Sequence, residues 1–177
     1  MTGYLLTAAA LVILGYIILM FNSIINLKNK ATRAFADIDT ILKQRNDELP
    51  ALVETCSSYM KHEGDLFKET ARQRSVYAMS GGIVEKIISA NVLGADAAMI
   101  MMKSENYPGL LASESFQKLS QRLSAIETKL ADFREAFNDA VNVYNIHIQH
   151  FPNVIIAMLF GFKQMEFLAA PEAEIKK

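Results

Sequence analysis

The stretch from Ser113 to His150, SESFQKLSQRLSAIETKLADFREAFNDAVNVYNIHIQH, has the clearest periodicity in the chain. Large apolar side chains recur every three or four residues, and charged side chains occupy the positions between them. The recurring residues are Phe116, Leu119, Leu123, Ile126, Leu130, Phe133, Phe137, Val141, Tyr144 and Ile148. This is the period of an α-helix that packs at a shallow angle on neighbouring helices. The stretch therefore predicts one long bundle helix with Ser113 at its N-cap.

Turn residues divide the chain before this helix. SENYPG at 104–109 supplies Asn, Pro and Gly, which favour turn dihedrals, and Gly81-Gly82 marks a second break. The intervening residues 83–103 predict a helix. It is unusually apolar from Ile87 to Met102, with Asp96 as the one charge in that segment.

Another helical pattern precedes Gly81-Gly82. Its positions alternate by three and four residues, which is a heptad pattern with two polar interruptions, and they are Phe35, Ile38, Leu42, Arg45, Leu49, Leu52, Cys56, Tyr59, Glu63 and Leu66. Pro50 could lie in the first turn of a new helix or kink a continuous one. Strict apolar-polar alternation of the β type is absent, so the sequence predicts an all-α protein.

Composition supports an ordered protein of about one domain. The chain has 177 residues, of which 51% are hydrophobic and 21% charged, a balance that argues against wholesale disorder. The net charge of −1 provides no general attraction to nucleic acid or to an acidic surface. Because Cys56 is the only cysteine, an intramolecular disulfide cannot form.

The N-terminal 27 residues contain no charged side chain. Residues 4–21, YLLTAAALVILGYIILMF, have Thr7 and two tyrosine hydroxyls as their only polar groups. Ten Leu, Ile, Val or Phe residues in this apolar run contribute about −3 to −6 kcal/mol to insertion into a bilayer. A signal peptide would need a basic start and a small-residue cleavage site, and a lipoprotein anchor would need an early cysteine. We therefore expect one transmembrane helix.

Basic residues next to this run predict its orientation. Lys28, Lys30 and Arg33 follow it and no Lys or Arg precedes it, so the positive-inside tendency places the rest of the chain in the cytoplasm. The predicted regions are a tail and transmembrane helix at 1–27, a helical bundle at 28–170 and a polar tail at 171–177. The expected anchor residues are Tyr4, Leu5, Leu11, Ile13, Leu14, Ile17, Ile18, Leu19 and Phe21. The three basic residues are expected to contact lipid headgroups.

Two further segments are candidate contact surfaces. Residues 87–102 are apolar around most of the predicted helix, and 151–162, FPNVIIAMLFGF, are apolar but too few to span a bilayer. The candidate contact residues are Ile87, Val92, Met99, Ile100, Met101, Met102, Ile155, Ile156, Leu159 and Phe160. They could face other subunits, the inner leaflet or the chain's own core.

The sequence contains no complete motif for metal binding, cofactor binding or catalysis. His62-Glu63 is not followed by the second histidine of H-E-x-x-H, and His147 and His150 alone are a poor metal site. We therefore predict no metal, no cofactor and no catalytic residue. Cys56 lies on the heptad pattern, which favours packing over nucleophilic chemistry. The phosphate-binding glycine motifs are absent as well.

Nucleic-acid binding is not indicated either. The basic residues Lys28, Lys30, Arg33, Lys43 and Arg45 are interleaved with acidic ones, namely Asp37, Asp39, Asp47 and Glu48. Such alternation does not form the basic surface that binding to phosphates requires.

Several motifs together resemble the LemA family of bacterial membrane proteins. LKNKATRAFADIDTILKQRNDELPALVETCSSYMKHE (27–63) looks like that family's first helix. ENYPGLLASESFQKLSQRLSAIETKLADFREAFNDAVNVYNIHIQHFP (105–152) is similar to its YP turn and YN…FP region, and FGF (160–162) matches too. The similarity covers residues 1–168. It implies a short N-terminal span, a cytoplasmic helical bundle and an association with the cell envelope, including relatives in magnetosome formation, and it implies no common enzymatic activity. The strongly apolar 87–102 segment departs from the family pattern.

These observations favour a non-enzymatic scaffold or adaptor, anchored in the bacterial inner membrane with its N-terminus outside, that self-assembles through apolar helix faces. Fixed anchors would raise the effective concentration of neighbouring copies. One alternative is a metal-dependent hydrolase using His62, Glu63, His147 and His150. Another is a monomeric adaptor for a membrane protease or an envelope-stress component.

Overall fold

A computed structural model of the chain describes residues 1–81 and 83–168. The predicted polar tail from Pro171 and residue Gly82 of the predicted break lie outside the described residues, as do Ala169 and Ala170. Within the described ranges the elements are helical. They are α1 Thr2–Ser57, a 3-10 turn Lys61–Glu63, α2 Gly64–Met79, α3 Ile83–Ser104, α4 Pro108–Leu111, α5 Glu114–Gln149 and α6 Asn153–Phe160.

The long helix predicted over 113–150 is confirmed as α5. Nine of its ten periodic apolar residues are buried, and Phe133 is half-buried. The charged residues between them lie on the outer faces, so the spacing alone identified the packed side of this helix.

The heptad pattern over 35–66 is divided between two helices, α1 and α2. Pro50 lies inside α1, which continues past it to Ser57, so of the two alternatives the continuous helix is observed. Past Cys56 the pattern does not continue as one helix: the N–H groups of Tyr59 and Met60 still bond to the Cys56 carbonyl, at 3.0 and 2.8 Å, but Met60 then leaves the helical conformation with a ψ of 57°. This turn ends α1 and begins a separate helix, α2, that the sequence pattern did not separate.

The chain packs as two compact units. One consists of Met1–Asp37 with Asp132–Leu168, and the other contains Ile38–Ala131. We call them the anchor unit and the four-helix unit.

The four-helix unit has an up-and-down arrangement. Arg45 of α1 pairs with Glu127 of α5 at 3.0 Å, and Glu48 pairs with Arg122 at 3.2 Å, so these two helices run antiparallel. α2 and α3 form an antiparallel hairpin, in which the Ser80 and Ser89 hydroxyls lie 3.0 Å apart near the connection. The core between the helices is aliphatic and includes Ile38, Leu52, Leu93, Ile100 and Leu119.

The anchor unit consists of the start of α1, the end of α5, α6 and an extended segment, 162–168. The rings of Phe35 and Phe137 meet edge to face at 5.7 Å, and Ser23 contacts His147 at 3.1 Å. Since residue numbers rise along α1 as they fall along α5, these two helices are antiparallel here as well.

Candidate membrane interface

The first part of α1 is an exposed apolar surface. An eighteen-residue window within this helix reaches a mean hydropathy of 2.4, and the helix is long and apolar enough to cross a membrane by length and composition. Buried core helices of soluble proteins can be equally long and apolar, but here nearly every side chain from Met1 to Leu19 is exposed on the protein surface. Apolar side chains on this scale need a cover that the chain itself does not provide.

The predicted anchor residues divide by position. Seven of them are exposed, and these are Tyr4, Leu5, Leu11, Ile13, Leu14, Ile18 and Leu19. Ile17 and Phe21 are partly buried, because one side of the helix is covered from Ile17 onward. Sequence reasoning missed this cover, since hydropathy does not distinguish a face packed on protein from one packed on lipid.

Lys28, Lys30 and Arg33 are exposed on α1 just beyond the apolar run. The Arg33 guanidinium donates from Nε to the Asn29 carbonyl at 3.4 Å, which leaves its charged group on the helix surface. The three positive charges therefore lie at one end of the uncharged surface, as the sequence order requires.

A small apolar cluster covers the last turns of the run. Met20 and Ile24 of α1 pack with Tyr144 and Ile148 of α5, and with Ile156 and Ala157 of α6. The Phe21 ring lies 4.8 Å from Phe160 and 5.6 Å from Phe162, measured between ring centroids. The 151–162 segment therefore packs directly on the end of the apolar run.

Gly161 ends α6 and turns the chain back. Its φ of 71° is the left-handed conformation that glycine adopts at low cost, and the Phe162 N–H bonds to the Ala157 carbonyl at 2.9 Å. This turn places both Phe160 and Phe162 beside Phe21, which explains why the FGF sequence carries a glycine between two aromatic residues.

His147 connects the three helices of the anchor unit. Its Nε2 lies 3.1 Å from the Ser23 hydroxyl and 3.3 Å from the Asn153 amide nitrogen, which also donates to the His147 carbonyl at 3.1 Å. Because one ring nitrogen is engaged by α1 and α6, His147 holds the start of α6 in place. His150 is exposed at the turn between α5 and α6.

Two asparagines of α5 hold the extended segment. Asn145 donates to the Met165 carbonyl and accepts from the Met165 N–H, both at 2.9 Å, and Asn138 makes the same pair with Leu168 at 3.1 and 2.9 Å. Seven helical residues and three extended residues both rise about 10 Å, so the spacings match. These two pairs of hydrogen bonds form what we call the asparagine clamp. Sequence reasoning did not identify it, because the sequence shows only polar residues beside an apolar stripe.

The predicted contact segment 87–102 has two opposite apolar faces in the four-helix unit. Ile87 and Ile100 are buried in the chain's own core, so they are not available as contacts to other molecules, and Met101 is half-buried. The opposite face is exposed or half-exposed. We call it the α3 stripe, and its members are Ile88, Val92, Ala95, Met99 and Met102.

Two residues of the hydrolase alternative are engaged in other contacts, whereas His62 and His150 are exposed. Glu63 forms an ion pair with Lys103, while His147 bonds to Ser23 as described. His62 and Glu63 belong to the four-helix unit, and His147 and His150 belong to the anchor unit. Among residues 1–81 and 83–168, no three His, Cys, Asp or Glu side chains are grouped closely enough to hold a metal ion.

Over residues 1–81 and 83–168, these features define a class: a helical bundle protein whose first helix begins with an exposed apolar stretch. The sequence profile of the LemA family matches residues 34–177, and the chain belongs to the LemA family. The resemblance seen in the sequence motifs is thereby confirmed.

The chain is also similar to three curated magnetosome proteins. Magnetosome protein MamQ of Magnetospirillum gryphiswaldense is 23% identical over 177 residues. Magnetosome proteins MamQ 1 and MamQ 2 of Paramagnetospirillum magneticum are each 22% identical. Each match covers 85% of this chain and 65% of the relative, so the chain spans about two thirds of the length of these proteins.

Proposed function

We propose that the chain is a non-enzymatic scaffold or adaptor of the bacterial envelope, anchored in the inner membrane and self-assembling at its inner face. In this proposal residues 1–27 form the anchor and residues 28–170 the bundle. The observation that carries it is the uncharged surface of α1 from Tyr4 to Leu19, which is largely exposed and can be covered by the hydrocarbon of a bilayer.

The exposed charges support the orientation. Lys28, Lys30 and Arg33 lie together at the end of the apolar run, and each contributes about 1 kcal/mol at a negatively charged leaflet. The cytoplasmic side is the side on which such residues accumulate. The four-helix unit then lies in the cytoplasm, with the N-terminus outside.

The relatives support a membrane-associated, non-catalytic role. The three curated proteins carry the name magnetosome protein, and the family similarity includes nearly the whole described bundle. Because each match covers only 65% of the relative, we do not assign the role of the complete relatives to this chain.

The α3 stripe supports self-assembly. Its five members follow one another by four, three, four and three residues, which is the spacing at which two helices interlock side by side. Anchors in one membrane hold neighbouring copies in the same orientation and raise their effective concentration. A second copy of α3 is therefore the occupant that we propose for this stripe.

Light scattering of the detergent-solubilised full chain tests self-assembly. We expect an oligomer for the parent and a monomer for the double variant Met99→Lys/Met102→Lys, because lysines without partners would be buried in the contact at a cost of several kcal/mol. Met102 is 62% exposed, so folding should survive, and helical circular dichroism checks this. Met101→Lys is a poorer test, since that side chain is half-buried and its substitution also strains the core.

Gln121→Lys on the exposed surface of α5 is the matched control and should retain the parent size. A double variant that keeps the parent size would contradict the role of the stripe. A parent chain that is strictly monomeric would favour the alternative of a monomeric adaptor for a membrane protease or an envelope-stress component.

A further inference from the structure

We infer that α6 is a second membrane contact, which lies within the inner leaflet beside the end of the apolar run. The inference rests on the proposed anchor and adds a site to it. The surface concerned is the α6 outer face, which consists of Ile155, Met158 and Leu159 of the helix together with the exposed Phe151 just before it. Its proposed occupant is the acyl-chain region of the bilayer.

α6 is apolar on both sides. Ile156 and Ala157 are buried against α1 and α5, whereas Met158 is 80% and Leu159 74% exposed on the outer face. Residues 151–162 contain no charged side chain. A helix at a water-facing surface is normally polar on its outer side, so this face needs an apolar cover.

The position of α6 along α1 indicates what that cover is. α6 packs on Met20, Phe21 and Ile24, which precede Lys28 by four to eight residues. At the helical rise this places α6 about 6–12 Å from Lys28, on the same side as the apolar run. If Lys28 is at the headgroups, the α6 outer face is continuous with the lipid-facing surface of α1.

The backbone of this segment also suits an apolar environment. The N–H groups of Val154 and Ile155 bond to the carbonyls of His150 and Pro152 at 2.9 and 3.1 Å, and the Phe162 N–H bonds to Ala157. Hydrocarbon offers no hydrogen-bond partner, so backbone groups must be paired within the chain. With eight residues, α6 is about 12 Å long, too short to span a bilayer and suitable for lying in its interface.

Polar residues flank the segment where they can reach the membrane surface. His150 is exposed before Phe151, and Lys163 is exposed directly after Phe162. The Lys163 carbonyl accepts a hydrogen bond from the Tyr144 hydroxyl at 3.0 Å, which fixes the backbone from which the lysine side chain extends. A long lysine side chain can direct its ammonium group to phosphates while its neighbours remain among the acyl chains.

Depth-dependent fluorescence quenching tests the inference. Single cysteines replace Met158, Leu14 of the apolar run and Asp139, an exposed polar position on α5 of the same unit. Each full-length chain is labelled and reconstituted in phosphatidylethanolamine–phosphatidylglycerol vesicles with brominated acyl chains, and iodide serves as the aqueous quencher. The parent chain is the labelling control, because its one cysteine, Cys56, is buried.

We expect bromolipid quenching at Met158→Cys within about twofold of Leu14→Cys and roughly fivefold above Asp139→Cys, with iodide showing the reverse order. Quenching at Met158→Cys that matches Asp139→Cys, while Leu14→Cys is quenched by lipid, would overturn the α6 contact and leave the anchor intact. Shielding of Met158→Cys from both quenchers would mean that protein covers α6, which also overturns the inference. Loss of lipid quenching at Leu14→Cys would instead contradict the anchor itself.

Discussion

Arg45 is a buried cation inside the four-helix unit. Its side chain is 4% exposed, forms an ion pair with Glu127 and donates from Nη2 to the Ala90 carbonyl. A methyl group on Gly94 would lie 2.5 Å from Arg45 Nη1 and 3.0 Å from Cζ. The absence of a side chain at 94 therefore makes room for the guanidinium, and this basic residue is not free to bind phosphate.

Gly94→Ala should lower the free energy of unfolding by about 1–3 kcal/mol, because the new methyl group displaces a buried, hydrogen-bonded charge. In an Arg45→Met background the same change should be neutral or stabilising by up to about 1 kcal/mol, since alanine is the better helix former. Denaturant unfolding of the four chains in this double-mutant cycle provides the measurement. Equal effects of Gly94→Ala in both backgrounds would contradict the pairing.

Cys56 should be unreactive in the folded protein. It lies in the four-helix unit, where burial raises the pKa of its thiol to about 11, so the reactive thiolate is scarce at pH 8. An aromatic disulfide reagent should label it only as fast as the chain opens, and fully in denaturant. Because the folded pKa exceeds the ordinary value of 9.0, its contribution to stability should be lost as the pH rises from about 9 to 11. Rapid labelling of folded protein at pH 8 would contradict this burial.

At the scale of elements, sequence periodicity predicted the bounds and the buried face of a helix best where its packing repeats regularly along its length. α5 follows its pattern from Phe116 to Ile148, because a bundle helix buries one stripe throughout. The end of α1 at Ser57 was not predicted, since no glycine or proline marks it and the apolar spacing continues into the turn. The turn is formed by hydrogen bonds from the backbone N–H groups of Tyr59 and Met60 to the Cys56 carbonyl, and such backbone bonds cannot be recognised from the amino-acid composition.

The candidate site was predicted in outline and not in detail. The apolar run and the basic residues after it are visible in composition, whereas the burial of Met20 and Ile24 depends on α6, which is distant in sequence. Similarly, 87–102 is apolar all round, and only packing separates the buried Ile100 from the exposed Met102. The extended segment 162–168 has no periodicity, so its pairing with α5 could not be predicted.

Asn145→Asp should release the extended segment from α5. The substitution removes the donor to the Met165 carbonyl and places a largely buried negative charge near it, at an expected cost of about 1–3 kcal/mol. Hydrogen exchange at the Met165 amide, which bonds to Asn145 in the parent chain, should accelerate. Asn138→Asp is the matched variant and should act first at Leu168. Unchanged exchange at both amides would contradict the clamp.

At the scale of the whole molecule, charge is distributed along the chain in one order: an uncharged start, a short basic segment and then a mixed surface. The first 27 residues carry none of the 37 charged side chains. A net charge near zero gives no long-range attraction, so this order, rather than total charge, is the basis of the proposed location. In the proposed arrangement, the α3 stripe and the α6 outer face add contacts to a position that the first helix defines.

Protease accessibility combined with alkaline extraction tests this central claim most directly. The full chain is expressed in bacteria, and protease is added to spheroplasts before and after the inner membrane is permeabilised. We predict that the chain remains in the membrane fraction after alkaline washing and that residues beyond Arg33 are cleaved only after permeabilisation. Cleavage of those residues in intact spheroplasts would contradict the orientation, and recovery of the chain with residues 4–21 intact in the aqueous fraction would contradict the anchor.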